Sequence, residues 1–171
     1  MAEHGTDPYV YLADVHDFSL DSMDAAPRLA KRLKALPGRK LIFTNADAPY
    51  AQRVLSRLGL DDIFDDMVDI HAIEYKPKPA QHAYDVLLKQ TGADPSRSIF
   101  FEDMARNLVP AKNMGMQTVW IEGGWHESKW GHDNDDFAHI DHRTASLADW
   151  LDTAIEALQI QPAISIGNQN D

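Results

Sequence analysis

Ile99-Phe100-Phe101-Glu102-Asp103-Met104-Ala105-Arg106-Asn107 carries three apolar residues and then two adjacent acids. The apolar run, with Ser98 before it, reads as a short buried strand. Adjacent carboxylates at the end of such a strand are costly unless they meet a cation or good donors. Oxygen ligands at a strand end suit Mg²⁺, which takes one or two protein carboxylates and keeps several waters. Asp103 and Glu102 are therefore candidate metal ligands. The plainer alternative is that Asp103 caps the helix that follows, although Glu102 still belongs to the strand end.

The same grammar recurs upstream. Lys40-Leu41-Ile42-Phe43-Thr44 reads as another short apolar strand, and it ends on a hydroxyl followed by Asn45. A hydroxyl there, beside free backbone N–H groups, can donate to a phosphate oxygen, or it can simply cap the next helix. Between the two strands, Tyr75-Lys76-Pro77-Lys78-Pro79 holds lysine between prolines at a helix start. A cation placed so stiffly can balance phosphate charge and keep a carboxylate ionised. The alternative is a surface turn with two solvated lysines.

Around these segments, helix and strand patterns alternate. Helices are expected over 20–36, 49–58, 79–90 and 108–114, with a last one beginning at the Ser146 cap and carrying Leu147, Leu151, Ile155 and Leu158. Strands are expected over 40–44, 67–70, 98–101 and 117–121. This order implies βαβ units, a parallel sheet and ligands beyond the carboxyl ends of the strands. The expected fold class is α/β, a Rossmann-like three-layer parallel sheet. Residues 122–145 read as a long polar surface loop. Its His126, His132, His139 and His142, with Asp133, Asp135 and Asp136, are either solvated or a weak candidate for a transition metal.

The chain has 171 residues, 16 basic against 27 acidic, and a formal net charge of −11. That balance argues against a nucleic-acid polymer as partner, because a duplex is gripped first through Lys and Arg on phosphates. It leaves room for a small phosphorylated substrate. No apolar run reaches membrane-spanning length and no leader pattern opens the chain, so no membrane partner is expected and cytoplasm is the default location. There is no cysteine, hence no disulfide framework or thiolate metal site.

Hydroxyl, then lysine, then acid pair, each after its own strand, is a specific order, and with it the chain resembles the haloacid dehalogenase superfamily. Thr44, Lys78 (with Lys76 as second choice) and the pair Glu102 and Asp103 match the family's second, third and fourth motifs. Phe43-Thr44-Asn45-Ala46, Pro77-Lys78-Pro79, Phe101-Glu102-Asp103 with Asn107-Leu108, and Ala111 to Met116 look like the pyrimidine 5′-nucleotidase branch. The resemblance covers roughly residues 8 to 155. It implies a Mg²⁺-dependent phosphomonoesterase, with Thr44, Asn45 and Lys78 on the phosphate.

The family's first motif, Asp-x-Asp at the end of a central strand, supplies the nucleophile and the general acid and base. It finds no match here, nor does most of the helical cap that follows it in that branch. Three divisions are expected: 1–19, a cap remnant or a substitute first strand; 20–158, the core; 159–171, a flexible tail. If Tyr9-Val10-Tyr11-Leu12-Ala13-Asp14 formed the substitute strand, Asp14 would be a surrogate nucleophile, with His16 at the spacing of the acid and base. The alternatives are that Tyr9–Asp17 is only lead-in, or that a second copy fills the slot and makes a homodimer. Without the nucleophile, a non-catalytic phosphate- or protein-binding module is the competing function.

Overall fold

The computed structural model describes residues 7–123 and 137–160. Its elements run α1 (Pro8–Val15), α2 (Pro27–Ala35), β1 (Leu41–Phe43), α3 (Ala48–Leu58), β2 (Asp66–Val68), α4 (Gln81–Thr91), β3 (Ile99–Glu102), α5 (Ala105–Asn113), β4 (Gln117–Ile121), β5 (His142–Thr144) and α6 (Leu147–Ile160). All pairings are parallel, as the alternation of helix and strand requires. They form not one sheet but two: β1–β2, and β3–β4–β5.

Helices cover both faces. Phe43 and Val68 pack with Ala83, Tyr84 and Leu87 of α4 and Ala111 of α5. Ile42 and Met67, one residue earlier on each strand, pack with Leu33 of α2, Leu55 of α3 and Leu151 of α6. This is the period-two alternation of a strand buried on both sides. In the second sheet Phe100 joins the α4–α5 side, while Phe101 meets Trp150 of α6 edge-on at 5.0 Å. The result is the expected three-layer α/β arrangement.

Main-chain bonds show which way each strand edge faces. Thr44 N–H donates to Val68 O and Asp65 N–H to Lys40 O, so residues 40, 42 and 44 address β2. Leu41 and Phe43 point the other way. Gln117 N–H donates to Ser98 O, so 98, 100 and 102 address β4, and Ile99 and Phe101 point away from it. No described segment pairs with those two outer edges.

Three expectations need correction. Tyr9–Asp14 is not a substitute strand but part of α1, because Asp7 accepts from Tyr9 N–H at 2.8 Å and Pro8 takes the first helical position. The helix expected from Leu20 begins only at Pro27, whose ring is tolerated in a first turn and not in an interior. Residues 142–144, read as loop, form the edge strand β5 beside β4.

Candidate active site

The three strand-end motifs meet at Lys78. Its side chain is 8% exposed, and its ammonium donates to Glu102 Oε2 at 2.7 Å and to Phe43 O at 2.8 Å. It also lies over the Phe43 and Phe100 rings, 4.9 and 5.4 Å from their centroids. Lys78 thus bridges the carboxyl ends of β1 and β3, which belong to different sheets. Lys76, by contrast, is exposed and pairs with Glu74.

Glu102 is buried, and its carboxylate is fully engaged. One oxygen takes Lys78, and the other accepts from Met104 N–H at 3.3 Å. Burial raises its pKa above the ordinary carboxyl value, and the Lys78 charge opposes that rise. Asp103, next in the chain, is exposed; its carbonyl accepts from the Trp120 indole at 2.9 Å.

Thr44 Oγ1 accepts from Ala46 N–H at 3.0 Å, which fixes the hydroxyl and leaves its proton to donate. Asn45 behaves differently from expectation. Its Oδ1 accepts from Lys78 N–H at 2.9 Å and its Nδ2 donates to Lys78 O at 3.3 Å. Both polar ends therefore hold the lysine main chain instead of facing a ligand.

Loop 69–75, which leads into the Lys76–Pro79 turn, is held by its own bonds. Asp69 accepts from Ala48, His71 and Ala72 N–H groups. Glu74 and Tyr75 both sit at positive φ, 54° and 57°, which costs about 1–3 kcal/mol each for non-glycine residues. Tyr75 is held there by its N–H on Ile70 O at 3.0 Å and by its hydroxyl against His71 Nδ1 at 2.8 Å. Strain of this kind persists where the surroundings over-determine a conformation, and here it lies three and four residues before the site lysine.

Asp14 is exposed on α1. His16, just beyond, turns to Asp47, the buried N-cap of α3, at 2.9 Å and stacks on Tyr50. Neither residue occupies a strand end. A groove along α3 is lined by Ser19, Leu20, Pro49, Gln52, Arg53 and Arg57. Its arginines are spent on main-chain carbonyls of residues 16–23, so it offers no free cation to an anion. Of the loop histidines, His139 contacts Ala105 O at 3.1 Å and His142 packs on Trp150; His126, His132, Asp133, Asp135 and Asp136 lie outside the described residues.

Do these residues suit Mg²⁺? No group of three or more acidic or histidine side chains gathers among the described residues. Asp103 is an exposed carboxylate at the right place, set against that of Glu102, and Glu102 is engaged by Lys78. Asn107, in the first turn of α5, buries an amide oxygen that has no hydrogen-bond partner among the described residues, an arrangement that calls for a donor or cation. The donor set fits such an ion in part, through Asp103.

Sequence reasoning missed the Lys78–Glu102 bond and the role of Asn45. Each joins residues 24 or 33 positions apart, and no local pattern encodes such contacts.

The structure thus gathers a hydroxyl, a lysine and carboxylates at the strand ends of a parallel three-layer α/β core. A family model of haloacid dehalogenase-like hydrolases matches residues 4–115, and the chain belongs to that family. Fructose-1-phosphate phosphatase YqaB of Escherichia coli K12 is 28% identical over 107 residues, which span 61% of this chain and 56% of that protein. Glyceraldehyde 3-phosphate phosphatase of Pyrococcus abyssi is 28% identical over 125 residues, 72% of this chain and 48% of that protein. The chain thus spans about half the length of these curated relatives. Among solved structures, the fold is similar to an HAD phosphatase from Thermococcus onnurineus, with TM-score 0.56 and 20% identity over 88% of this chain and 64% of that one.

Proposed function

We propose that the chain is the core of a Mg²⁺-dependent phosphomonoesterase for small phosphate esters, sugar phosphates or nucleotides. The observation that carries this reading is Lys78, held at the meeting point of two strand ends with Thr44 on one side and Asp103 on the other. Thr44 donates its hydroxyl proton to a phosphate oxygen. Lys78 makes the potential at the strand ends more positive, so that an anion is held there. Glu102 fixes the ammonium, and Asn45 fixes the lysine main chain. Asp103 would hold the metal, whose bound charge would offset that of the phosphate. The sugar-phosphate names of two relatives support the substrate class, and the branch motifs in the sequence support nucleotides.

A surrogate nucleophile at Asp14 loses its basis, since the strand it needed is a helix. Among the described residues no strand stands between β1 and β3 to carry the family's aspartate. That observation favours a second reading, binding of phosphate or a protein partner without turnover. A homodimer remains a further proposal, and the acidic net charge and small-anion site support neither a nucleic-acid nor a membrane partner. No helix among the described residues is long and apolar enough to cross a membrane.

The test is hydrolysis of p-nitrophenyl phosphate by the purified chain with Mg²⁺ and with EDTA, alongside Asp103→Ala. The phosphatase reading expects metal-dependent turnover, lost in the variant. Turnover unchanged in Asp103→Ala overturns the metal role. No turnover, with inorganic phosphate still bound in a Lys78-dependent way, establishes the binding reading instead.

A further inference from the structure

The bend that carries Asp103 is held from the neighbouring strand. Trp120 of β4 lies opposite Glu102 in the register, with Arg143 of β5 beyond it. Trp120 is 7% exposed, and its indole N–H donates to the Asp103 carbonyl at 2.9 Å. An indole nitrogen only donates, so burying it demands an acceptor. Any main-chain carbonyl would serve; the one used belongs to the exposed acid at the site. The ring is itself packed in place. It meets Ala105 and Leu108 of α5, stacks on Phe137 at 5.8 Å and has the Arg143 guanidinium 5.2 Å from its centroid. Asp103 needs such a hold. Its carboxylate is set against that of Glu102, and like charges side by side push apart unless a cation stands by them. Helix α5 brings no side-chain cap at Met104 that would fix the bend.

We propose that Trp120 is a positioning residue for a divalent cation at Asp103. This role presupposes a metal at Asp103, as in the proposed function, and adds to it a residue that no strand-end motif marks. Groups that orient a metal ligand from behind are worth roughly 10–100-fold in metal affinity. Trp120 acts through the main chain. With the carbonyl pinned, the bend is ordered before the cation arrives, and binding does not have to supply that order. The same bend is tied at its next peptide by Glu102, which accepts from Met104 N–H at 3.3 Å and is itself held by Lys78. Lys78 and Trp120 thus reach it from opposite flanks of β3, one through the Glu102 side chain and the other through the Asp103 carbonyl.

The test uses the full chain and Mg²⁺ alone, and it needs no turnover. An NMR spectrum reads the tryptophan indole N–H groups, and the peak lost in Trp120→Phe identifies Trp120. In wild type that peak moves in a saturable way as Mg²⁺ is added; in Asp103→Ala it stays still. Calorimetric titration gives the affinity, and urea unfolding the stability, of each variant. Trp120→Phe keeps an aromatic ring and drops the donor, and it should weaken Mg²⁺ binding by about tenfold. Val119→Ala, next to Trp120 in β4 but pointing to the other face, lowers stability without touching Asp103 and should bind Mg²⁺ as wild type does. Undiminished affinity in Trp120→Phe overturns the proposal, while loss of Mg²⁺ binding in Asp103→Ala leaves the metal reading standing. Equal losses in Trp120→Phe and Val119→Ala also overturn it, because affinity then follows stability alone. No Mg²⁺ binding to wild type overturns the proposal and the metal role of Asp103 together.

Discussion

Strand β4 and strand β3 lie side by side and are built from similar residues, yet they live in different environments. In β4, Thr118 and Val119 are fully buried and Trp120 is 7% exposed, with paired neighbours on both sides. In β3, Phe100 and Phe101 are half-buried and Ile99 is 45% exposed. Strand β1, which faces β3 across the gap, repeats the pattern of β3. Apolar sequence is thus not enough to bury a strand; completeness of the sheet on both flanks is. At the carboxyl end of the gap Lys78 and Glu102 stand in place of a backbone ladder, as a buried ion pair that joins the two half-sheets.

If that pair holds the halves together, breaking it has the largest effect. Lys78→Met or Glu102→Gln alone leaves one partner unmatched in a buried site and should cost about 3–5 kcal/mol in urea unfolding. The double variant should cost clearly less than the sum. Additive losses would mean that the two residues act independently and that the bridge is incidental.

The next effect sharpens the contrast between the strands themselves. Val119→Ala opens a void in a closed layer and should cost roughly 2 kcal/mol. Ile99→Ala, on an open edge, should cost less than about 1 kcal/mol. Equal losses would show that the β3 edge is covered.

Smaller still are the pH effects, which have opposite signs on the two sides of the molecule. Glu102 has a raised pKa, chiefly through burial, so its folded form binds a proton more readily than its unfolded form. Its contribution is present below the ordinary carboxyl value of 4.5 and is lost as pH rises through the folded value. Asp141 is the reverse. Bonds from Lys112 and from Thr118 lower its pKa, so its contribution is present above 3.8 and is lost as pH falls through the folded value. Thermal melts against pH should show the stability advantage of wild type over Glu102→Gln shrinking as pH rises, and that over Asp141→Asn shrinking as it falls. Asp14→Asn, on the exposed face of α1, should change neither melting temperature nor phosphate hydrolysis.

The parts of the fold that could be read from sequence were those with strong local chemistry. The apolar runs at 41–43, 99–101 and 117–121 announced themselves because parallel strands are buried on both faces. The places of Thr44, Lys78 and Asp103 at strand ends and a turn were legible because each follows such a run or a proline turn. Tyr9–Asp14 was misread as a possible strand because a short apolar segment has no decisive period; the Asp7-Pro8 cap was the signal for a helix. β5 was missed because His142-Arg143-Thr144 is polar, as an edge strand can be. At the site, sequence marked Glu102 for metal and Asn45 for phosphate. Their side chains instead fix Lys78, which only the packing of distant segments reveals.

The most direct measurement is amide hydrogen exchange at Phe100 and Phe101 in the free chain. These residues are adjacent in one strand, but the first addresses β4 and the second addresses the gap. An open gap predicts slow exchange at Phe100 and exchange near the rate of an unprotected amide at Phe101. Equal, strong protection at both would contradict the account, because the second edge of β3 would then be paired and the two half-sheets would be one.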